Sequence, residues 1–387
     1  MTQQILLDLQ QGLAVPAMDC VRIVKDAPGQ SFECRVSKRT LQGGVSGGVD
    51  VVTLDNGATV IDVLPTRGMG ISSVRCGDVH LQWDAPIIGP VHPRCVPLSE
   101  PSGLGWLDGF DEWLVRCGLE SNGSPEFEPN GKLRYSLHGK IANTPAHFVA
   151  YDIDETKHEL RLTGKVRESR MFFKSLELES TLSMPFGLPL WRIQDKITNL
   201  SANPGEFQLL YHINTGFPFA VPGCEITMPF RRLAPRTPQA AKEIGTWNQL
   251  GPETPGSEEI VYFCEPAADQ DGRCHVMLSN VKKDRALHIS FEASAFPYFA
   301  LWKSRLARPD GYVCGLEPCV NFPNTKSFEK RHGRVVTLKP GESKTFGLHF
   351  TIFHDAMSVK NMSKYLAEIQ QSVKSVVEDA PIPEWSE

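Results

Sequence analysis

The stretch Val51-Val52-Thr53-Leu54-Asp55-Asn56-Gly57-Ala58-Thr59-Val60-Ile61-Asp62-Val63-Leu64 decides the fold class. Two runs rich in β-branched residues flank an Asn-Gly pair, and Asn-Gly readily takes the positive φ angles of a tight hairpin turn. The dominant period is therefore two, not 3.6. The same pattern returns along the chain. Ile71–Cys76 and Val79–Trp83 flank Gly77-Asp78, and 147–153 and 159–166 flank a polar turn. Phe173–Met184 and Leu190–Thr198 flank a Pro-Phe-Gly-Leu-Pro turn; Val276–Val281 and Ala286–Phe291 flank Lys282-Lys283-Asp284. Near the end, 334–338 and 344–353 flank Lys339-Pro340-Gly341-Glu342, where Pro then Gly is the chemistry of a type II turn. In its second run Phe346, Leu348, Phe350 and Ile352 share one face.

Helices are few. Met362–Val377 spaces Leu366, Ile369, Val373 and Val377 by threes and fours, which predicts a C-terminal amphipathic helix, and 106–116 could hold a helical turn. No linker, composition break or fixed-period repeat divides the 387 residues. The expectation is a mainly β protein: one antiparallel sandwich domain over 1–387, with its core at about 51–353 and an extension at 1–50.

Composition narrows the function. With 41% hydrophobic and 22% charged residues the chain has the makings of a large core. Its net charge of −5 offers no basic footprint for nucleic acid. No apolar run reaches the roughly 18 residues of a membrane helix, and the first residues lack a signal peptide's basic start. A cytoplasmic protein without nucleic-acid or membrane partners is expected. The ten cysteines show no C-x-x-C and no zinc spacing, so they read as packed thiols rather than disulfides or metal ligands.

Three polar residues interrupt apolar, strand-like stretches: His138, His212 and Glu317. A carboxylate in an apolar strand, followed at once by the ladder-breaking Pro318, is costly to bury without a partner. Desolvation would raise its proton affinity and suit it to acid–base work. A buried ion pair or a solvated edge would explain Glu317 equally well, and each His could be a satisfied core residue. No His pair has metal-site spacing, so no metal is expected.

The segments His138-Gly139…Ala142-Asn143, Tyr211-His212-Ile213-Asn214 and Leu316-Glu317-Pro318 resemble the aldose 1-epimerase (galactose mutarotase) superfamily. The segment Gly103–Leu114 is similar to that of a bacterial branch called epimerase-like. The resemblance spans about Val51 to Phe353. It implies a β-supersandwich with a sugar cleft, His212 as general acid, Glu317 as general base and His138 as a substrate ligand. It also makes Trp302 a residue lining the cleft. The sequence departs from the pattern where Lys140-Ile141 replaces an aromatic residue and no Arg precedes Asn143, so the identity of the sugar stays open.

Mutarotation needs only proton transfers, so neither metal nor cofactor is implied. Glu317 ionised and His212 protonated would form the active pair, giving a bell-shaped pH profile. For the sugar hydroxyls, Arg67 in a Gly-flanked turn and Asp111 in an acidic cluster are candidates. Arg67 could instead tie a loop to carbonyls, Asp111 could serve a helix start, and Trp302 could fill the core. Two rivals remain: a sugar-binding protein without turnover, and a lyase or hydrolase using Tyr211. Strand alternation counts against the second, because it turns Tyr211 away from His212.

Overall fold

The computed structural model describes residues 3–25 and 28–387. Among them, two large sheets of ten and fourteen strands pack face to face, antiparallel at every large pairing. The ten-stranded sheet runs Glu225–Thr227, Arg273–Ser279, Ala286–Glu292, Ser343–Phe353, Leu190–Asn199, Ser175–Pro185, Glu159–Ser169, Ala146–Asp154, Gln4–Asp8, Leu13–Ala14. The other sheet places Gly205–Gly216 near its middle, between Leu114–Leu119 and Val313–Cys319, with Tyr298–Ser304 and Ile260–Pro266 beyond. The core between the sheets is built by the expected alternation: Phe346, Leu348, Phe350 and Ile352 are buried, and so are Leu176, Leu178, Leu182 and Met184. Trp113 of one layer meets Trp191 and Phe350 of the other at ring centroid distances of 5.8 and 5.6 Å.

One ion pair crosses this apolar core. Arg116 from Leu114–Leu119 binds Asp195 from Leu190–Asn199, and both side chains are sealed from solvent. Arg116 also donates to the Met69 carbonyl and to Ser180, while the Tyr211 hydroxyl donates to Asp195 at 2.5 Å. The buried charges are thus fully hydrogen-bonded, the condition for tolerating them there.

Strands before residue 50 join both sheets: Gln4–Asp8 pairs with Ala146–Asp154, while Met18–Lys25 and Ser31–Thr40 prolong the other sheet. Two expectations need correction. The C-terminal helix is Ala356–Gln371, because Asp355 caps it by accepting the Ser358 N–H at 2.8 Å. Beyond it Val376–Val377 forms a short strand parallel to Phe230–Pro235. The turn at 339–342 forms, with Gly341 at φ 74°, yet its flanking runs do not pair with each other. Val336–Leu338 joins Gly205–Gly216, and Ser343–Phe353 joins the opposite sheet. The helical turn expected within 106–116 is the 3-10 turn Gly105–Gly109, after which the strand at Leu114 begins.

Burial along the strands points to the site. Glu159–Ser169 and Ser175–Pro185 alternate, with one face toward water. Gly205–Gly216 and Val313–Cys319, by contrast, are buried almost throughout on both faces. Something covers their outer face: Trp83, Trp106 and Phe110 pack there with Leu210, Val313 and Cys319 in a second apolar cluster. No described helix is long and apolar enough to cross a membrane.

Candidate active site

Under that cover lies a cavity of about 290 Å³. Tyr211 and Ile213 face the core between the sheets, so alternation turns His212 to the cavity side. Leu210 pairs with Cys319 and Ile213 with Leu316, which sets His212 directly across from Glu317. The result is a close contact, with His212 Nε2 3.1 Å from Glu317 Oε1 and both side chains almost fully buried. Gly315 leaves room for it. A β-carbon there would lie 2.5 Å from Glu317 Oε1 and 2.9 Å from the His212 ring.

The proton positions follow from the partners. The Asn214 amide must present its NH₂ to the Glu112 carbonyl, 2.9 Å away, because a carbonyl can only accept. Its oxygen is then left to accept from His212 Nδ1–H in a short bond. With Nδ1 carrying the hydrogen, neutral His212 turns a bare Nε2 toward Glu317. Burial pushes His212 down to about 3, with His138 adding to the effect. Burial, reinforced by Glu259, pushes Glu317 well above the usual carboxylate range. Both shifts favour the neutral forms, His212 as imidazole and Glu317 as carboxylic acid. The active pair expected from the sequence carries the opposite charges, with Glu317 ionised and His212 protonated.

His138 stands beside this pair, its ring centroid 5.5 Å from that of His212. Its backbone is left-handed at φ 55°, a conformation held by bonds from its N–H to the Gly123 carbonyl and from Gly118 N–H to its own carbonyl. His138 Nδ1 donates to the Asn122 carbonyl at 2.8 Å, leaving Nε2 as the acceptor; burial lowers this imidazole to about 4. The aromatic wall is Trp106, Phe110 and Trp302, the last with its ring 5.3 Å from His212. At the mouth Trp302 Nε1 donates to Glu259 at 2.8 Å, and Arg236 reaches both Glu259 (3.4 Å) and Ser124 (3.1 Å).

Four of the six expected site residues thus line one cavity: His138, His212, Trp302 and Glu317. Arg67 and Asp111 do not. Arg67 is consumed by Glu112 at 2.8 Å, by Asn143 and by the Gly109 carbonyl, the loop-tying role that was its alternative. Asp111 lies behind the wall beside Glu112, where burial lifts its carboxyl to about 8. The sequence reading assigned no role to Asn214, Arg236, Glu259, Trp106 or Phe110. Only Asn214 carried a signal, as the next same-face position after His212. No group of three or more His, Cys, Asp or Glu among the described residues is placed to hold a metal ion, and all ten cysteines are free thiols.

The two-sheet fold is galactose mutarotase-like, as comparison with solved structures shows. A Klebsiella pneumoniae subsp. pneumoniae MGH 78578 protein, provisionally described as an aldose 1-epimerase, superposes with a TM-score of 0.93 at 28% identity. The match covers 98% of this chain and 99% of that one. A galactose mutarotase-like protein from Clostridium acetobutylicum (TM-score 0.55, 13% identity, 79% and 96% covered) shares the fold. So does the galactose 1-epimerase of Lactobacillus acidophilus NCFM (0.54, 13%, 83% and 99%). No curated protein matches the sequence. The family model described as "Domain of unknown function (DUF4432)" matches residues 46–352, and the chain belongs to that family.

Proposed function

We propose that the protein is an aldose 1-epimerase-type isomerase that interconverts the α and β anomers of a sugar. The observation that carries this reading is the contact of His212 Nε2 with Glu317 Oε1 on the floor of a sugar-sized cavity. The anomeric hydroxyl and the ring oxygen are bonded to the same carbon. A donor and an acceptor side by side can therefore serve both at once, and the sugar rests over the pair rather than between its members.

One member takes the anomeric hydroxyl proton while the other gives a proton to the ring oxygen. The bond from C1 to the ring oxygen breaks, the free aldehyde rotates, and the reverse transfers close the ring on its other face. Protons and electrons balance without an oxidant or cofactor. The family resemblance gives the base to Glu317 and the acid to His212. That assignment requires a proton to move from Glu317 to His212 as the polar sugar enters, across a 3.1 Å gap that no hydrogen bond spans in this structure. His138 Nε2 accepts a sugar hydroxyl, and Trp302 offers a ring face to the sugar.

Exchange NMR on a panel of aldoses tests the reading. Wild type should speed α/β interconversion of at least one sugar, and Glu317→Gln should slow it by ~10²–10⁴ while the sugar still binds. Equal, uncatalysed rates for both, with binding retained, would leave a carbohydrate-binding protein instead.

A further inference from the structure

The charge inventory of the cavity is short. Two imidazoles, one buried carboxyl, one guanidinium and one exposed carboxylate line it. Burial favours the neutral form of both imidazoles and of the Glu317 carboxyl. The charges that remain are those of Arg236 and Glu259 at the mouth. Glu259 is more than half exposed, yet it is pinned on two sides, by the Trp302 indole N–H at 2.8 Å and by Arg236 at 3.4 Å. Arg236 is held in turn by the Ser124 hydroxyl. A surface carboxylate normally swings in water. This one is fixed over an entrance, and the ring that fixes it is itself a wall of the cavity.

Resting on the epimerase reading, we infer that the Arg236–Glu259–Trp302 brace selects uncharged sugars and turns away sugar phosphates and sugar acids. With the anomeric carbon at the deeply buried His212–Glu317 floor, the substituents far from it lie at the mouth. There a phosphate or carboxylate on the sugar meets the fixed Glu259 charge, which also offsets the pull of the Arg236 guanidinium beside it. Hydroxyl groups meet no such penalty. They accept from the guanidinium and donate to the carboxylate. Like-charge juxtaposition of this kind is a common way to reject a wrong partner.

The test compares neutral hexoses with their 6-phosphates, and glucose with glucuronate, by anomer exchange and by calorimetric binding, at low and high salt. Wild type should prefer the neutral sugar by about tenfold or more at low salt, and the preference should shrink as salt screens the mouth. Glu259→Gln frees Arg236 and should collapse or reverse the ratio; Arg236→Gln leaves Glu259 alone and should widen it. Equal or better binding of the phosphates by wild type overturns the inference, as does a ratio that neither variant moves, or binding of neither kind. Neutral sugars that bind with selectivity but are never interconverted would instead sink the epimerase reading and leave this one intact.

Discussion

At the scale of single residues, Glu317 and His212 make opposite demands on pH. The working pair holds one proton. Added acid places a second proton on His212, which burial resists, and added base strips Glu317, which burial also resists. The profile of kcat/KM should therefore be broad, its acid limb below the usual His range and its alkaline limb above the usual carboxylate range. Asn214→Asp sets a carboxylate against Nδ1–H, favours the imidazolium and should move the acid limb to higher pH. An unmoved limb would mean that His212 is not the group titrating.

Stability should record the same carboxyl. In the unfolded chain Glu317 ionises near its ordinary value of about 4.3, whereas burial in the fold raises it well above that. Between those two values only the unfolded state gains from ionisation, so this group lowers stability as pH rises through that window. Glu317→Gln removes the liability. Thermal unfolding at pH 7 should show the variant a few degrees more stable, an advantage that disappears below about pH 4. A less stable variant at pH 7 would contradict the assigned protonation.

At the scale of elements, the Arg116–Asp195 pair ties a strand of one sheet to a strand of the other through the core. Asp195→Ala leaves a buried guanidinium without its counter-charge, along with an unpaired Tyr211 hydroxyl. We expect a loss of about 3–5 kcal/mol by chemical denaturation. Replacing both charged partners with apolar residues of similar volume should recover much of it. If the single variant unfolds like wild type, the pair does not carry the join.

The elements also mark what the sequence could disclose. Hairpins such as 50–64 were legible because turn and strands lie within one short window. The turn at 339–342 was equally legible, but its strands part company: the partners of Val336–Leu338 and Ser343–Phe353 lie far off in the chain. Period and turn chemistry describe a strand without naming its neighbour. In the site, His138, His212 and Glu317 stood out as polar breaks in apolar runs. Arg236 and Glu259 sit just outside strand ends, where charge is ordinary. Arg67 misled because a buried guanidinium and a substrate-reading one look alike until their partners are known.

At the scale of the whole molecule, both sheets take strands from the first 50 residues and from beyond residue 335. A single cooperative unit is therefore expected, with one calorimetric transition. A chain starting at Val49 should lose solubility, since Val52, Leu54 and Ile61 would lose a neighbouring strand or the layer that covers them. Two separate transitions would argue for a division of the chain.

The path of the chain through the cavity floor carries a last consequence. Leu210 pairs with Cys319, 109 positions on (319−210), and His212 with Val115, 97 positions back (212−115). Closing such long loops must precede any reward from the contacts, so pairings of this span form slowly. Local hairpins need no such search. On dilution from denaturant the strand signal in circular dichroism should return first, and catalytic competence only after a measurable lag. A nascent or refolding chain would then pass through a stage already rich in sheet yet chemically inert, because the floor of its cavity is stitched together by segments far apart in the chain.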